Sequence, residues 1–299
     1  MHENPDRPDD TNGARTEVAA LRAEIGRLRL ENTELSARLC DLAAQLAGAM
    51  PDYRKLNGTT TRDALRNLVI AAECKDHDTG AHLVRIGYFS ALLASVCGYG
   101  QAFVRMLLMA SPMHDVGKIG VPDHILKKAS LLSNDERRIM EMHPEYGARI
   151  LGDSEAPVLA LASEIAFTHH EYYDGSGYPR GTSKYDIPLS GRIVAVADVL
   201  DALVMDRRYR AAMPWDKAIG IVRAGRGRHF DPDIVDAFLS AEDRAFELCQ
   251  TMTRGEVPRQ LPGLDESADG DPLGFYDAPL NSVAVDRRSM DTDDYFRER

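Results

Sequence analysis

Leucine recurs at every seventh position from Leu21 through Leu28 and Leu35 to Leu42, and Val18, Ile25, Asn32, Leu39 and Leu46 fill the alternate slot of the same frame. An apolar seam this narrow suits a partner helix better than a globular face. Leu at d with mostly Val, Ile or Leu at a predicts a parallel two-stranded coiled coil over residues 15–50, and with it a homodimer. Asn32 supports that reading, because a buried a-position Asn costs stability but pins register across a dimer. The flanking charges agree: Glu17 at g faces Arg22 at e of the partner, and Glu24 faces Arg29. A single amphipathic helix packed on its own domain is the competing reading.

The rest of the chain divides by composition. Residues 1–14 are rich in Pro, Asp and Asn and read as disordered, and residues 51–61 read as a linker. Residues 62–253 carry helical periodicity throughout and read as one catalytic domain. Leu65, Leu68, Val69 and Ala72 share one face of a first helix, and Leu83, Ile86, Phe89 and Leu93 one face of a second. Ser133 and Glu136 form a capping box that predicts the start of the helix carrying His143. Asp231-Pro232 reads as N-cap and N1 of a late helix. No useful strand alternation appears, so the fold class is all-α. Residues 254–299 turn to Asp, Pro, Gly and Ser and read as an acidic disordered tail.

The net charge of −11 argues against DNA as a partner, because no Lys/Arg stripe offsets it. The four cysteines are scattered and lack metal-finger spacing, which suits reduced thiols in the cytoplasm. The polar N-terminus is unlike a signal peptide, and no apolar run approaches a membrane span.

The chemistry concentrates between His114 and Asp198. His114-Asp115, His143, His169-His170 and Asp198 bring potential ligands to several helices, with Lys118 one turn after the first pair. His and Asp form a mixed N/O donor set for Fe, Mn, Ni or Zn, and one Asp can bridge two ions. Any one of these histidines alone is more often a core or surface residue; the joint pattern points to a multinuclear centre of the kind that hydrolyses phosphate esters.

These residues lie inside longer motifs. His114-Asp115-Val116-Gly117-Lys118-Ile119-Gly120-Val121-Pro122-Asp123, His169-His170-Glu171-Tyr172-Tyr173-Asp174-Gly175-Ser176-Gly177-Tyr178-Pro179, the helix from Arg192 through Asp198 to Leu203, and His229-Phe230-Asp231-Pro232 resemble the HD-GYP family of bacterial signalling phosphodiesterases, a branch of the HD metallohydrolases. The resemblance covers about residues 61–240 and implies an HD-type helical bundle. It implies hydrolysis of cyclic di-GMP to pGpG, with further cleavage to GMP as a second product, through a metal-bridging hydroxide. The implied cofactors are two or three divalent ions, iron or manganese.

Carried over by position, the resemblance makes Asp115 the bridging ligand, with His114, His143, His169, His170 and Asp198 as the other metal residues. Lys118 then meets the scissile phosphate or the hydroxide. Arg207 and Arg210 face the dinucleotide phosphates, and Gly177, Tyr178 and Pro179 border the groove. A third ion would use Asp78 and His82, where the family carries Glu and His. The Arg-Pro-Tyr element of the family reads Arg207-Arg208-Tyr209 here. Glu171 and Asp174 are expected to orient ligand histidines. Two other readings stand beside the enzyme: a catalytically weak cyclic di-GMP receptor, and a phosphodiesterase for another cyclic dinucleotide. A regulatory protein is a further expected partner.

Overall fold

The computed structural model describes residues 80–152, 154–205 and 211–256, together with Ala20, Glu24, Arg27, Lys75 and Pro258. The chain divides into two compact units, Met1–Arg54 and Lys55–Arg299. In the first unit Ala20, Glu24 and Arg27 are helical, and Nε of Arg27 donates to Glu24 at 3.0 Å on the exposed surface. The expected seam of the coiled coil, the linker at 51–61 and the tail from 259 onward lie outside the described residues, as do Asp78, Arg207 and Arg210.

Among its described residues the second unit is all α, as the periodicity predicts. Its helices are α1 (Gly80–Val96), α2 (Gln101–Ala110), α3 (Asp123–Leu126), α4 (Asn134–Met140), α5 (His143–Leu151), α6 (Pro157–Thr168), α7 (Leu189–Val204), α8 (Trp215–Ala224), α9 (Pro232–Ser240) and α10 (Glu242–Thr253). Short 3-10 turns cover Ser111–Met113, Val116–Gly120 and Lys184–Asp186. Beyond the helices, Arg226 and Phe230 form one isolated β-bridge.

The sequence of α7 explains why it lies at the centre. Ile193, Val194, Val196, Leu200 and Leu203 point in several directions around the helix, and all are buried. A helix that is apolar on most sides must be surrounded. Helices α1, α6, α8 and α9 pack on it, and α2 packs against both α1 and α6. Ile86, Phe89 and Leu93 of α1, Leu107 and Leu108 of α2, and Ile165 of α6 fill the space between them. Each such side chain contributes roughly 1.5–3 kcal/mol by leaving water. Such packing fixes the helix ends on which polar side chains can be held.

Two helix starts follow their sequence signals. Ser133 Oγ accepts from Glu136 N at 3.3 Å, and Glu136 Oε2 accepts from Ser133 N at 2.7 Å, completing the capping box of α4. Asp231 caps α9 by accepting from Asp233 N at 2.8 Å. One expectation is corrected. His143 is not carried by the helix that Ser133 opens, because α4 ends at Met140 and His143 begins α5. Pro144 is the reason: it has no N–H to continue a preceding helix and is preorganised for the first turn of a new one.

Candidate metal centre

Five segments bring the described members of the sequence-predicted ligand set together. His82 lies on α1 and Asp198 on α7, while His143 begins α5 and His169-His170 follow α6. His114 and Asp115 sit between two 3-10 turns, where Pro112 has ended the run of α2. Gly117 lets that link meet α5. A Cβ there would lie 1.9 Å from the His143 carbonyl oxygen and 2.3 Å from the Gly147 nitrogen, so only glycine permits the approach.

The side chains fall into two groups. Asp115, His143, His169 and His170 form one, and His82, His114 and Asp198 the other; within each, the donor atoms all lie within 4.8 Å of one another. Asp115 stands between the groups. Its Oδ1 is 3.2 Å from Nε2 of His143 and 3.6 Å from Nε2 of His169. Its Oδ2 is 3.2 Å from Nε2 of His114 and 2.9 Å from Nζ of Lys118. In the second group, Oδ1 of Asp198 lies 3.9 Å from Nε2 of His114 and 4.0 Å from Nε2 of His82.

The donor set fits divalent cations on its hydrogen bonding. Nδ1 of His114 is held by the Ser111 carbonyl at 3.0 Å, and Nδ1 of His143 by the Met140 carbonyl at 2.8 Å. The carbonyls of Ile165 and Ala166 hold Nδ1 of His169, and the Asp201 carboxylate holds that of His82. A carbonyl can only accept, so Nδ1 carries the proton and Nε2 keeps its lone pair. Those Nε2 atoms of His82, His114, His143 and His169, with Oδ1 of Asp115, are buried and make no hydrogen bond. Buried polar atoms without partners are costly unless an ion takes them, and imidazole with carboxylate is a ligand set for Fe, Mn or Zn.

Electrostatics favour the same use at Asp115 and His169, whereas at His114 a cation would have to displace a proton. Burial opposes ionisation of Asp115, yet Lys118 and His114 hold its carboxyl well below the usual carboxylate range. Burial pushes the His169 ring down, keeping it neutral. His114 is likewise disfavoured as a cation by burial, but Asp115 and Asp198 outweigh that and hold it above its ordinary value.

The Gly177, Tyr178 and Pro179 turn lies against this cluster. Tyr178 N donates to the His170 carbonyl at 3.0 Å, and the two rings stack with centroids 4.7 Å apart. A Cβ on Gly177 would meet Tyr172 N at 2.2 Å, so the turn lies flat on the His169-His170 corner. Glu171 does something other than expected. Its buried carboxylate accepts from Arg180 N at 2.8 Å and Thr182 N at 2.9 Å, bracing this turn and leaving the ligand histidines to other groups. Asp174 accepts from Ser176 within the loop.

Sequence reasoning passed over Asp201 and Arg85. The spacing puts Asp201 on the face of α7 that carries Asp198, and Arg85 on the face of α1 that carries His82, but does not pair the two helices. Burial pushes the Asp201 carboxyl up, but Arg85 and His82 hold it far below the ordinary carboxylate range.

A family model described as an HD domain matches residues 60–234. A cyclic di-GMP phosphodiesterase of Thermotoga maritima is 43% identical over 180 residues, covering 60% of this chain and 49% of that protein. A cyclic di-GMP phosphodiesterase of Vibrio cholerae is 43% identical over 199 residues, covering 62% of this chain and 40% of that protein. A 3'3'-cGAMP-specific phosphodiesterase 2 of the same species is 42% identical over 184 residues, covering 62% of this chain and 35% of that protein. The chain thus spans half or less of the length of these curated relatives. With well over half of its residues matched, and with the adjacent His114-Asp115 pair at the meeting point of its buried ligand groups, the chain belongs to the HD domain family.

Proposed function

We propose that this chain is a metal-dependent phosphodiesterase that hydrolyses cyclic di-GMP to the linear dinucleotide pGpG. The observation that carries the reading is Asp115, whose two oxygens face separate groups of buried imidazoles with inward lone pairs. Residue by residue, His143, His169 and His170 with Asp115 would hold one ion, and His82, His114 and Asp198, beside Asp115, would hold a second. Iron or manganese suits this mixed set. Divalent ions there supply Lewis-acid polarisation of a phosphoryl oxygen and an attacking water acidic enough to ionise near neutral pH.

The chain's own residues do the rest. Backbone carbonyls and Asp201 hold Nδ1 of His82, His114, His143 and His169 and so aim the four Nε2 atoms inward before substrate arrives. Lys118 brings the nearby side-chain cation, placed to neutralise charge that develops on the phosphoryl oxygens during in-line attack. Tyr178, stacked on His170 and braced through Glu171, forms the wall on which a guanine or the sugar-phosphate ring would rest. Arg207 and Arg210 are assigned to the remaining phosphate by their place in the motif.

Identity of 42% to a relative named for 3'3'-cGAMP supports a second substrate reading within the same chemistry. The test is side-by-side turnover of cyclic di-GMP and 3'3'-cGAMP by the manganese-loaded full chain, with products separated by chromatography. Release of pGpG, with GMP following on longer incubation, supports the first reading; preferential cleavage of 3'3'-cGAMP replaces the substrate. Binding of either nucleotide without cleavage turns the chain into a receptor. The cytoplasm, where the messenger is made, is the compartment we assign, and the unpaired thiols of Cys97 and Cys249 suit it. None of the described helices is long and apolar enough to cross a membrane.

A further inference from the structure

The three ligand rings around Asp115 and the ring of His82 are held differently. His114, His143 and His169 each give Nδ1–H to a backbone carbonyl within their own segment. His82 gives its Nδ1–H to a side chain from another helix: Oδ2 of Asp201 lies 2.6 Å away, across 119 residues of sequence. Asp201 has no exposure to solvent. It is gripped in turn by Arg85, whose Nε meets Oδ1 at 2.5 Å and whose Nη2 meets Oδ2 at 3.1 Å.

The spacing makes this a reciprocal lock between two helices. α1 presents His82 and, one turn on, Arg85; α7 presents Asp198 and, one turn on, Asp201. His82 therefore bonds Asp201 through Nδ1 and turns Nε2 toward Asp198, whose Oδ1 lies 4.0 Å away. The bidentate guanidinium fixes the plane of the Asp201 carboxylate, and the carboxylate fixes the ring.

We propose that Asp201, clamped by Arg85, is a positioning residue for the second half of the centre, presenting Nε2 of His82 to the ion that His114 and Asp198 hold. The inference rests on the metal reading above and assigns a task to two residues outside the ligand set. Asparagine at 201 makes the logic explicit. Arg85 can only donate, so it takes the amide oxygen and turns the NH2 toward His82. That NH2 needs an acceptor at Nδ1, which forces the proton onto Nε2 and removes the inward lone pair. Loss of an outer hydrogen-bond partner of this kind typically weakens metal affinity by about 10–100-fold.

The test combines two measurements on the full-length protein. Long-range 1H–15N correlation of the metal-free wild type reads the tautomer of His82, assigned by the His82→Ala variant. Calorimetric titration with Mn(II) then compares wild type, Asp201→Asn, His82→Ala and the double variant, each checked for an unchanged helical spectrum. The expected result is an Nδ1–H ring in the wild type, and one of two Mn(II) sites weakened about 10–100-fold by Asp201→Asn while the other keeps its affinity. On the His82→Ala background, Asp201→Asn should then change nothing further. An Nε2–H ring in the wild type overturns the proposal even if Asp201→Asn fails to fold. So does equal weakening of both sites, or wild-type affinity in Asp201→Asn. Absence of any Mn(II) uptake by the wild type removes the metal centre itself, and is distinct from all of these.

Discussion

Nζ of Lys118 lies 2.9 Å from Oδ2 of Asp115, the same oxygen that lies 3.2 Å from Nε2 of His114. The lysine is thus built into the centre from one helical turn away, and it offsets the carboxylate where an anionic phosphodiester would otherwise be repelled. Lys118→Met keeps the length of the side chain and removes its charge. We expect turnover to fall by about 10²–10³ with the Mn(II) content unchanged, measured by single-turnover kinetics beside elemental analysis. Full activity in this variant would leave Lys118 as a structural partner of Asp115.

Asp115 is the residue that both ligand groups share, so its loss should be felt by both. Asp115→Asn replaces a bridging anion by a neutral amide. The account expects loss of bound metal and a fall in rate of at least about a thousandfold, equivalent to several kcal/mol of charge stabilisation. Circular dichroism should stay helical, because the core around Ile193, Val196 and Leu200 does not depend on this carboxylate.

Gly117→Ala tests whether the close approach of the 3-10 turn to α5 is required. The added methyl would lie 1.9 Å from the His143 oxygen and 2.3 Å from the Gly147 nitrogen, both backbone atoms that cannot swing aside. Forced separation should cost about 1–3 kcal/mol, read from the urea midpoint, and should lower metal content by moving His143.

The capping box at Ser133 allows a prediction away from the centre. Ser133→Ala should cost about 1 kcal/mol with metal content unchanged. Its partner Glu136 is held down at about 2, below an ordinary value of 4.5, by Lys128 first and then by Ser133. A carboxyl lowered on folding stabilises the fold above its unfolded pKa, and that contribution disappears as pH falls through the folded value. The urea midpoints of wild type and Glu136→Gln should therefore differ at pH 6 and converge as pH is taken from about 4.5 toward 2.

The ligand set was legible because each member sits beside apolar helical sequence and belongs to a long motif. His143, His169 and His170 gather with Asp115, while His82, expected beside Asp78 at a third ion, lies with His114 and Asp198. The break between α4 and α5 was misjudged because the capping signal at Ser133 is local, whereas Pro144 decides where the next helix must begin. Glu171 was assigned to the histidines because it adjoins them in sequence. In three dimensions the chain turns after His170, and the carboxylate faces the N–H groups of Arg180 and Thr182. Asp201 and Arg85 were missed for the opposite reason: they are far apart in the chain, and only the packing of α1 on α7 makes them partners.

The central claim is that Asp115 joins two metal sites, and the most direct measurement is anomalous diffraction at the manganese edge from crystals of the Mn(II)-loaded protein. The account predicts one peak among Asp115, His143, His169 and His170, and a second among Asp115, His82, His114 and Asp198. Peaks only on surface carboxylates, or none beside Asp115, would contradict it.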